Sequence, residues 1–574
     1  MHPLYSLTVL FLPSLALGLG SPEQSATIYI HGYEGPGIDR VGLVGLDDDP
    51  GSDAASILDF LGLPSSLEDP SAPNQLAAIE YRGDRVPHPD SSYYDADDYA
   101  EVSALMPPHG EGGIPLFALV SAKFLRHVVE RSGAAGANIF GVSFGGAISR
   151  YMLANDVDGI CSDGLVSRWI TAVGAVNGAW ICEQPLSDPV LNFLDENSIE
   201  KAHTTYDWMR RNVDPNQPPP NHPWSPPNWG TSPGYRNTLI QHWVATDWSF
   251  VGGALHRISR MASDGVITAG DAQLAGVVAP SAWHGMQPTV TYVRGMHGPA
   301  ERLGEDHIFV GEHEGAWAGL LAGLTGDRRV SIRLAEATAH RRHDGPLQGK
   351  SEMAFEFSVY SPAAQTQWGM EAPIHERALR EGTAPLLRFG AKETRRPHEI
   401  LMDQIMLPEE ETLDVVLRVR EVDWSVFRTQ VVLEDPLNRS EIIAEEAFQI
   451  SLDDPADLWL HSGSVDVRLD VAVTHLDMRD PRLSDARLER EDDRTVTVWW
   501  RADEDATGSV MVLGADGSRH RFEGPHVAAD SWHEIRVEPL DPTLSYKIQP
   551  RAEDDARNLG RGPSLELIPR QARR

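Results

Sequence analysis

The segment Gly141-Val142-Ser143-Phe144-Gly145-Gly146 constrains what this chain can fold into more than any other stretch. A short apolar strand, Asn138 to Phe140, precedes it, and the small-residue start of a helix, Gly145-Gly146-Ala147, follows. A chain that passes from strand to helix in so few residues turns so tightly that side chains at 141 and 145 would collide with the neighbouring strand and helix, so those positions call for glycine. Ser143, between them, takes a strained backbone conformation that lifts its oxygen clear of the sheet. The pattern predicts a strand-turn-helix unit built to present one hydroxyl.

The flanking sequence supports that placement. From about Ala26 to Gly326, short β-branched runs alternate with longer amphipathic stretches, as in an α/β domain around a mostly parallel sheet. Thr27-Ile28-Tyr29-Ile30 reads as the first strand and Leu76 to Tyr81 as another. Pro115 to Arg131 carries apolar residues at helical spacing, Gly146 to Leu153 is the helix after the turn, and Arg168 to Gly174 the strand after that helix. Between about 183 and 250 prolines cluster and Trp208, Trp224, Trp229, Trp243 and Trp248 crowd together, the texture of a lid or cap insertion.

After Gly326 alternation replaces helical periodicity. Leu413, Val415, Leu417 and Val419, and again Val465, Val467, Leu469, Val471 and Val473, are apolar at every second residue, so both segments read as half-buried strands. Residues 327–478 therefore read as a β-sandwich whose type the pattern leaves open, and 479–574 as a further β domain. A C2-like sandwich fits the strand pattern, but its loops hold no convincing aspartate cluster for calcium.

Composition narrows the function classes. At 574 residues the chain is too long for one core, and at 41% hydrophobic it is too apolar for general disorder. Lys plus Arg number 49 against 84 Asp plus Glu, and the net charge of -35 repels phosphate backbones, so nucleic acid is excluded as a partner. The two cysteines, Cys161 and Cys182, rule out a disulfide-stapled scaffold. They flank an expected core strand whose ends are too far apart for a bridge, unless the following loop folds back. Residues 1–20, an apolar run ending in small residues before Ser21-Pro22, read as a secretory signal peptide, although the run lacks Lys or Arg at its start. No other stretch is long and apolar enough to suggest a transmembrane segment, so the expected mature protein is secreted, extracellular or periplasmic.

A serine is a weak nucleophile at neutral pH and needs a base, which in turn needs an orienting acid. His31-Gly32-Tyr33-Glu34-Gly35-Pro36-Gly37 stands directly at the end of the first strand. Together with the Ser143 turn, it resembles the α/β-hydrolase family and, within it, the bacterial lipases, in which His-Gly and an aromatic residue build half of the oxyanion hole. The resemblance covers Ala26 to Gly326 and implies an α/β-hydrolase fold, a mostly parallel sheet flanked by helices, followed by two all-β sandwich domains. It implies that the backbone N–H groups of Tyr33 and Phe144 hold the oxyanion, each such donor being worth about 2.7–4 kcal/mol. Ser263-Asp264-Gly265-Val266-Ile267 resembles the element that carries the lipase acid, which points to Asp264, with Asp271 the weaker candidate. Glu305-Asp306-His307-Ile308 resembles the element carrying the catalytic histidine, so His307 is favoured as base, with His297 in Gly295-Met296-His297-Gly298 as runner-up. His284 and His313 read as solvated surface groups. Asn177-Gly178-Ala179-Trp180 departs from the Pro-His-Arg-Gly loop usual in lipases at that place.

Two further readings complete the picture. Leu540-Asp541-Pro542-Thr543-Leu544-Ser545-Tyr546 resembles the corner of fibronectin type III domains, whose tyrosine hydroxyl ties down the backbone, with Leu544 departing from the usual threonine. Asp47-Asp48-Asp49 and Asp95-Ala96-Asp97-Asp98 lack the spacing of a calcium loop and read as solvated turns, and no Cys/His cluster supports zinc, so neither metal nor cofactor is expected. The expected function is ester hydrolysis by a secreted lipase or esterase acting on an ester or lipid substrate, with surface or polymer contact through the C-terminal sandwiches. A phospholipase, an acyltransferase or a polyester depolymerase would use the same triad. A non-catalytic binding or adhesion protein is the alternative of another class.

Overall fold

In a computed structural model of the chain, the described residues are 25–32, 42–43, 63–64, 69–81, 113–134, 136–183, 199–213, 238–246, 264, 267–272, 274, 288–294, 322–324, 326–341, 351–369, 373–379, 387–421, 441–476, 481–516, 518–554 and 559–569. The expected leader, residues 1–20, lies outside them. The first elements are β1 (Ser25–Ile30), β2 (Gly42–Leu43), β3 (Leu76–Glu80), α1 (Ile114–Ser132), β4 (Gly136–Val142), α2 (Phe144–Ala154), β5 (Val166–Ala172), α3 (Ile199–His203), α4 (Tyr206–Val213), β6 (Leu239–Thr246) and β7 (Thr289–Arg294). β3, β1, β4, β5, β6 and β7 lie side by side in that order, each pair parallel. All six residues of β1 are buried, as a strand covered on both faces requires.

α1 has Pro115 in its first turn and stops at Gly133, which takes the left-handed conformation (φ 68°) that a side chain would resist. Its buried stripe, with Phe117, Val120, Phe124 and Val128, packs with Ile148 and Met152 of α2 and with Ile28 and Ile139 in one cluster. Tyr29, Phe140, Ile170, Ala172, Trp243 and Val293 form a separate cluster. Alternation along these strands divides their side chains between the two faces of the sheet.

The remainder of the chain supplies β8 (Arg328–Ala339), β9 (Ser351–Tyr360), α5 (Pro362–Trp368), β10 (His375–Leu379), β11 (Leu387–Phe389), β12 (Thr394–Arg395), β13 (Glu399–Met406), β14 (Thr412–Glu421), β15 (Glu441–Ser451), β16 (Leu458–His461) and β17 (Val465–His475). These correct the expected fold class. The protein is not a helix-flanked α/β-hydrolase core followed by two separate sandwiches: it is mostly β, with several sheets and few helices among the described residues. The parallel strands are one part of a 12-stranded sheet that runs on from β7 through β13, β8 and β17 to β16 without a break. β13 pairs antiparallel with β7 and with β8. The β13–β7 register is the single pair Asp403–Val290, so β13 joins the parallel strands to the antiparallel part of the sheet at that point.

Two buried side chains fix this junction. His375 of β10 accepts a hydrogen bond at Nδ1 from the Tyr292 amide of β7 (3.3 Å), and its Nε2–H donates to the Leu401 carbonyl of β13 (2.8 Å), so one neutral ring bridges both strands. Arg168 of β5 donates to the Gly323 and Gly326 carbonyls just before β8 begins. A second sheet, β10-β9-β14-β15 with β11 on β9, then packs Phe355, Phe357, Val415 and Leu417 against Val330, Ile332, Val467 and Leu469 of the large sheet. The sandwich expected over 327–478 thus borrows one of its layers from the sheet that carries the parallel strands. Its alternation signal was real; the domain boundary drawn at Gly326 is crossed by hydrogen bonds.

The chain ends in β18 (Leu483–Arg490), β19 (Val496–Ala502), β20 (Ala506–Gly514), β21 (Arg519–Val527), β22 (Trp532–Val537), β23 (Tyr546–Asp554), β24 (Leu559–Arg561) and β25 (Leu565–Leu567), arranged as β18-β19-β22 facing β21-β20-β23-β24, with β25 on β23. Trp500, stacked on His533 (5.0 Å between ring centroids), lies in their shared core. The Tyr546 hydroxyl accepts a hydrogen bond from the Asp541 amide (2.8 Å), the backbone tie expected of that corner. This module touches the turn after α2. Arg519 donates to the Asp158 carbonyl (2.8 Å) and to Asp163 Oδ2 (3.3 Å), while Arg126 of α1 pairs with both carboxylates (2.6 and 2.7 Å). No helix of the described residues is long and apolar enough to cross a membrane.

Candidate active site

Ser143 stands at the junction of β4 and α2 with φ 52° and ψ -117°, a conformation that costs a non-glycine residue on the order of 1–3 kcal/mol. The surroundings enforce it. Ser143 N–H donates to the Ala172 carbonyl at the end of β5 (3.0 Å), and its own carbonyl accepts from Gly146 (3.0 Å) and Ala175 (2.9 Å). A Cβ on Gly141 would lie 2.8 Å from the Gly145 carbonyl oxygen, one on Gly146 would lie 2.7 Å from Gly174 Cα, and one on Gly145 would overlap the Ile30 carbonyl oxygen. The strand, the turn and the helix fit only because these three positions lack side chains. Ser143 itself is half-buried, and Phe144 opens α2.

The end of β1 forms the adjoining wall. A Cβ added to Gly32 would come within 3.0 Å of Ser143 Cβ and 3.5 Å of Ser143 Oγ, so the His31-Gly32 turn lies directly against the serine. His31 is buried and stacks on Tyr81 (4.3 Å between centroids, 14° between planes). The Tyr81 hydroxyl donates to the carbonyls of both His31 and Gly32, each at 3.0 Å, and His31 Nδ1 also lies 2.7 Å from the Gly32 carbonyl. Tyr33, the expected oxyanion donor that follows, lies outside the described residues.

Asp264 is 2% exposed in a tight turn. Its Oδ1 accepts from the Ile267 amide (2.7 Å), and its own N–H reaches the Ile267 carbonyl (3.2 Å). Asp271 belongs to a different network. Its Oδ2 accepts from the amides of Trp180 (3.0 Å) and Thr268 (3.2 Å), and its Oδ1 from the Tyr206 hydroxyl (2.5 Å). The Asn177 amide donates to the Asp271 carbonyl (2.9 Å), and Asn177 Oδ1 accepts from the buried Arg150 of α2 (2.7 Å). Asp271 therefore locks the loop after β5, the segment 199–213 and the Asp264 turn to the helix that begins at Ser143. Sequence reasoning weighed Asp271 only as an acid, because nothing in the pattern around Gly270 marks the Trp180 and Tyr206 donors that arrive from elsewhere in the chain.

Burial outweighs those donors and raises the Asp271 carboxyl to about 6. Because this native value stands above the ordinary 3.8, its contribution to stability is fully present below about 3.8 and is lost as pH rises through about 6. Relative to Asp271→Asn, which does not titrate, the native protein is expected to gain about 1–3 kcal/mol between pH 7 and pH 4. Parallel melts of the two proteins across that range check it, and a constant difference in melting temperature would refute the assignment.

His307 and His297 lie outside the described residues, as do His284, His313, Asp47-Asp48-Asp49 and Asp95-Ala96-Asp97-Asp98. His242 of β6 is fully buried against the Thr171 hydroxyl (2.7 Å), and burial together with the Arg150 cation pushes its pKa down to about 3, so it is a neutral core histidine and not a base. Cys161 and Cys182 are free thiols. Within the expected lid window, β6 is a strand of the sheet that carries Trp243 into the core, and Trp208 of α4 stacks on His203 (4.1 Å) and Tyr151 (5.9 Å) beside α2. Both tryptophans are thereby committed to packing, while Trp224, Trp229 and Trp248 lie outside the described residues. Among the described residues, no three His, Cys, Asp or Glu side chains converge to hold a metal ion.

No family model and no curated protein matches this chain. Solved structures that are similar in part include a thermophilic carboxylesterase cloned from a metagenomic library, at 13% identity over 53% of this chain and 83% of that one, with a TM-score of 0.24. Human GIVD cytosolic phospholipase A2 is another, at 8% identity over 43% of this chain with a TM-score of 0.15, and the match spans only 29% of the phospholipase. The FN5 domain of Drosophila Lar is 18% identical over 16% of this chain and 97% of its own length, with a TM-score of 0.13. An esterase and a phospholipase thus stand among the distant likenesses. At such scores the chains do not superpose as wholes, and the chemistry has to be argued from the residues around Ser143.

Proposed function

We propose that this protein is a serine hydrolase that cleaves carboxylic esters through an acyl-enzyme. The observation that carries the reading is Ser143 itself: a hydroxyl held at positive φ between strand and helix, with glycine wherever a neighbour would crowd it and the His31-Gly32 turn against it. Backbone strain of that kind is kept where a side chain has to be presented.

In the proposed reaction Ser143 Oγ attacks the ester carbonyl carbon while His307 takes its proton. The carbonyl oxygen becomes an oxyanion held by the N–H groups of Tyr33 and Phe144. Collapse expels the alcohol, which receives the proton from His307, and leaves the acyl group on Ser143. His307 then activates water, and hydrolysis releases the carboxylic acid. Asp264 holds His307 in the required tautomer. The substrate is an ester with an apolar acyl part, and the leader at 1–20 sends the enzyme out of the cytoplasm.

A fluorophosphonate probe on the full chain tests the reading: labelling at Ser143, lost in Ser143→Ala, is expected. A folded protein that resists the probe would favour the non-catalytic binding role. Turnover of esters of rising acyl length, in solution and as emulsions, separates esterase from lipase. Activity that survives His307→Ala but not His297→Ala would move the base to His297.

A further inference from the structure

We infer that the C-terminal β module, which begins at β18, is a fixed partner of the part that carries Ser143, and that the turn from α2 to β5, residues 156–164, is the socket that receives it. Modules joined in one chain ordinarily move relative to one another unless a specific interface holds them. Two independent features of this turn supply such an interface. The first is charge. Asp158 and Asp163 are each shared by two arginines, Arg126 of α1 and Arg519 of β21. Asp163 is 6% exposed, and its Oδ2 takes both guanidinium groups (2.7 and 3.3 Å). The Asp158 carbonyl accepts from the same two side chains (2.5 and 2.8 Å). A carboxylate this deep is costly to leave once a partner is withdrawn. Burial pushes the Arg551 guanidinium of β23 down to about 9, the Arg561, Arg521 and Arg126 cations push it the same way, and Asp163 opposes them. Asp163 is therefore also a counter-charge to the module's own arginines.

The second feature is shape. Asp158, Gly159 and Gly164 all stand at positive φ (54°, 68° and 65°). A Cβ on Gly159 would lie 3.0 Å from Arg519 Nη1, and one on Gly164 would overlap Leu559 Cδ2 of β24. Positive φ alone accounts for glycine at these places; it does not account for both notches being filled from the same distant module. The helix that begins at Ser143 ends at this turn, so the module grips its far end. The face that carries Arg519 and Leu559 is thereby occupied within the chain, and contact with a surface or polymer would need another face of the module.

Hydrogen exchange on the full chain, read by mass spectrometry, tests the inference without reference to turnover, so it stands or falls apart from the ester-hydrolase reading. Arg519→Glu sets a like charge against Asp158 and Asp163. Exchange at 156–165 is expected to quicken about tenfold or more, while that of β19 and β22 in the module core stays within about twofold of the wild type. Arg519→Met, which keeps the stem and adds no like charge, should quicken the same segment by a smaller factor. It decides the matter if Arg519→Glu loses protection in β19 and β22 as well. Unchanged exchange at 156–165 in the folded variants, or quickening spread evenly over the whole chain, overturns the inference and leaves the module a tethered appendage.

Discussion

Ser143→Ala is expected to lower the turnover of an activated ester by about a hundred-thousandfold or more, leaving a folded protein with the residual rate that binding and oxyanion donors supply. The size of the loss follows from the role. Without the hydroxyl no acyl-enzyme forms, and water must attack unaided. The change should be nearly silent in stability, because alanine meets the same positive φ that serine already tolerates and removes only one half-buried oxygen. Measured kcat with a matched melting curve checks both parts. A variant that keeps more than about one hundredth of the activity would place the nucleophile elsewhere.

The second large effect belongs to Gly145, which carries no chemistry. Gly145→Ala puts a methyl group into the Ile30 carbonyl oxygen and close to that of His31 (2.8 Å), and backbone atoms at the centre of a parallel sheet cannot step aside as a flexible side chain would. A loss of about 3 kcal/mol or outright misfolding is expected, with turnover falling at least about a hundredfold in whatever protein remains soluble, since β1 and α2 both bear on the serine. Gly133→Ala is the control. Its φ of 68° also disfavours a side chain, but nothing lies within 4 Å, so it should cost only about 1 kcal/mol and leave turnover intact. Chemical denaturation and ester turnover of the three proteins decide the matter; a Gly145→Ala protein as stable as Gly133→Ala would contradict the packing argument.

Local features were readable in the residues. The alternation at 413–419 and 465–473 falls in β14 and β17, the helical spacing after Pro115 in α1, and the glycines around Ser143 in a turn that tolerates nothing larger. The periodicities are legible because each arises from neighbours in the chain, over which burial alternates within a few residues, whereas glycine at 145 and 146 answers to Ile30 and Gly174, brought there by the fold. What the pattern does not carry is how the strands on either side of Gly326 pair. A change from helical to alternating pattern at Gly326 marks a change of element type, and it was read as the start of a separate unit. Hydrogen bonding of β13 to β7 is a pairing between backbones, and backbone groups carry no sequence label.

The same division runs through the site. That a serine stands between strand and helix at position 143 was legible in the hexapeptide, and the limit on position 141 comes from its near neighbours Gly145 and Ser149, whereas position 145 is closed to a side chain by the Ile30 and His31 carbonyls of β1, a contact only the tertiary structure makes. That Tyr81 holds the His31-Gly32 turn, that Asp271 secures a loop where an acid was also conceivable, and that one large sheet joins two expected domains were decided only by tertiary structure. In each case the deciding contact joins groups that are distant in the chain and whose residue types are ordinary, so its energy depends on where the folded backbone brings them and leaves no local pattern to read.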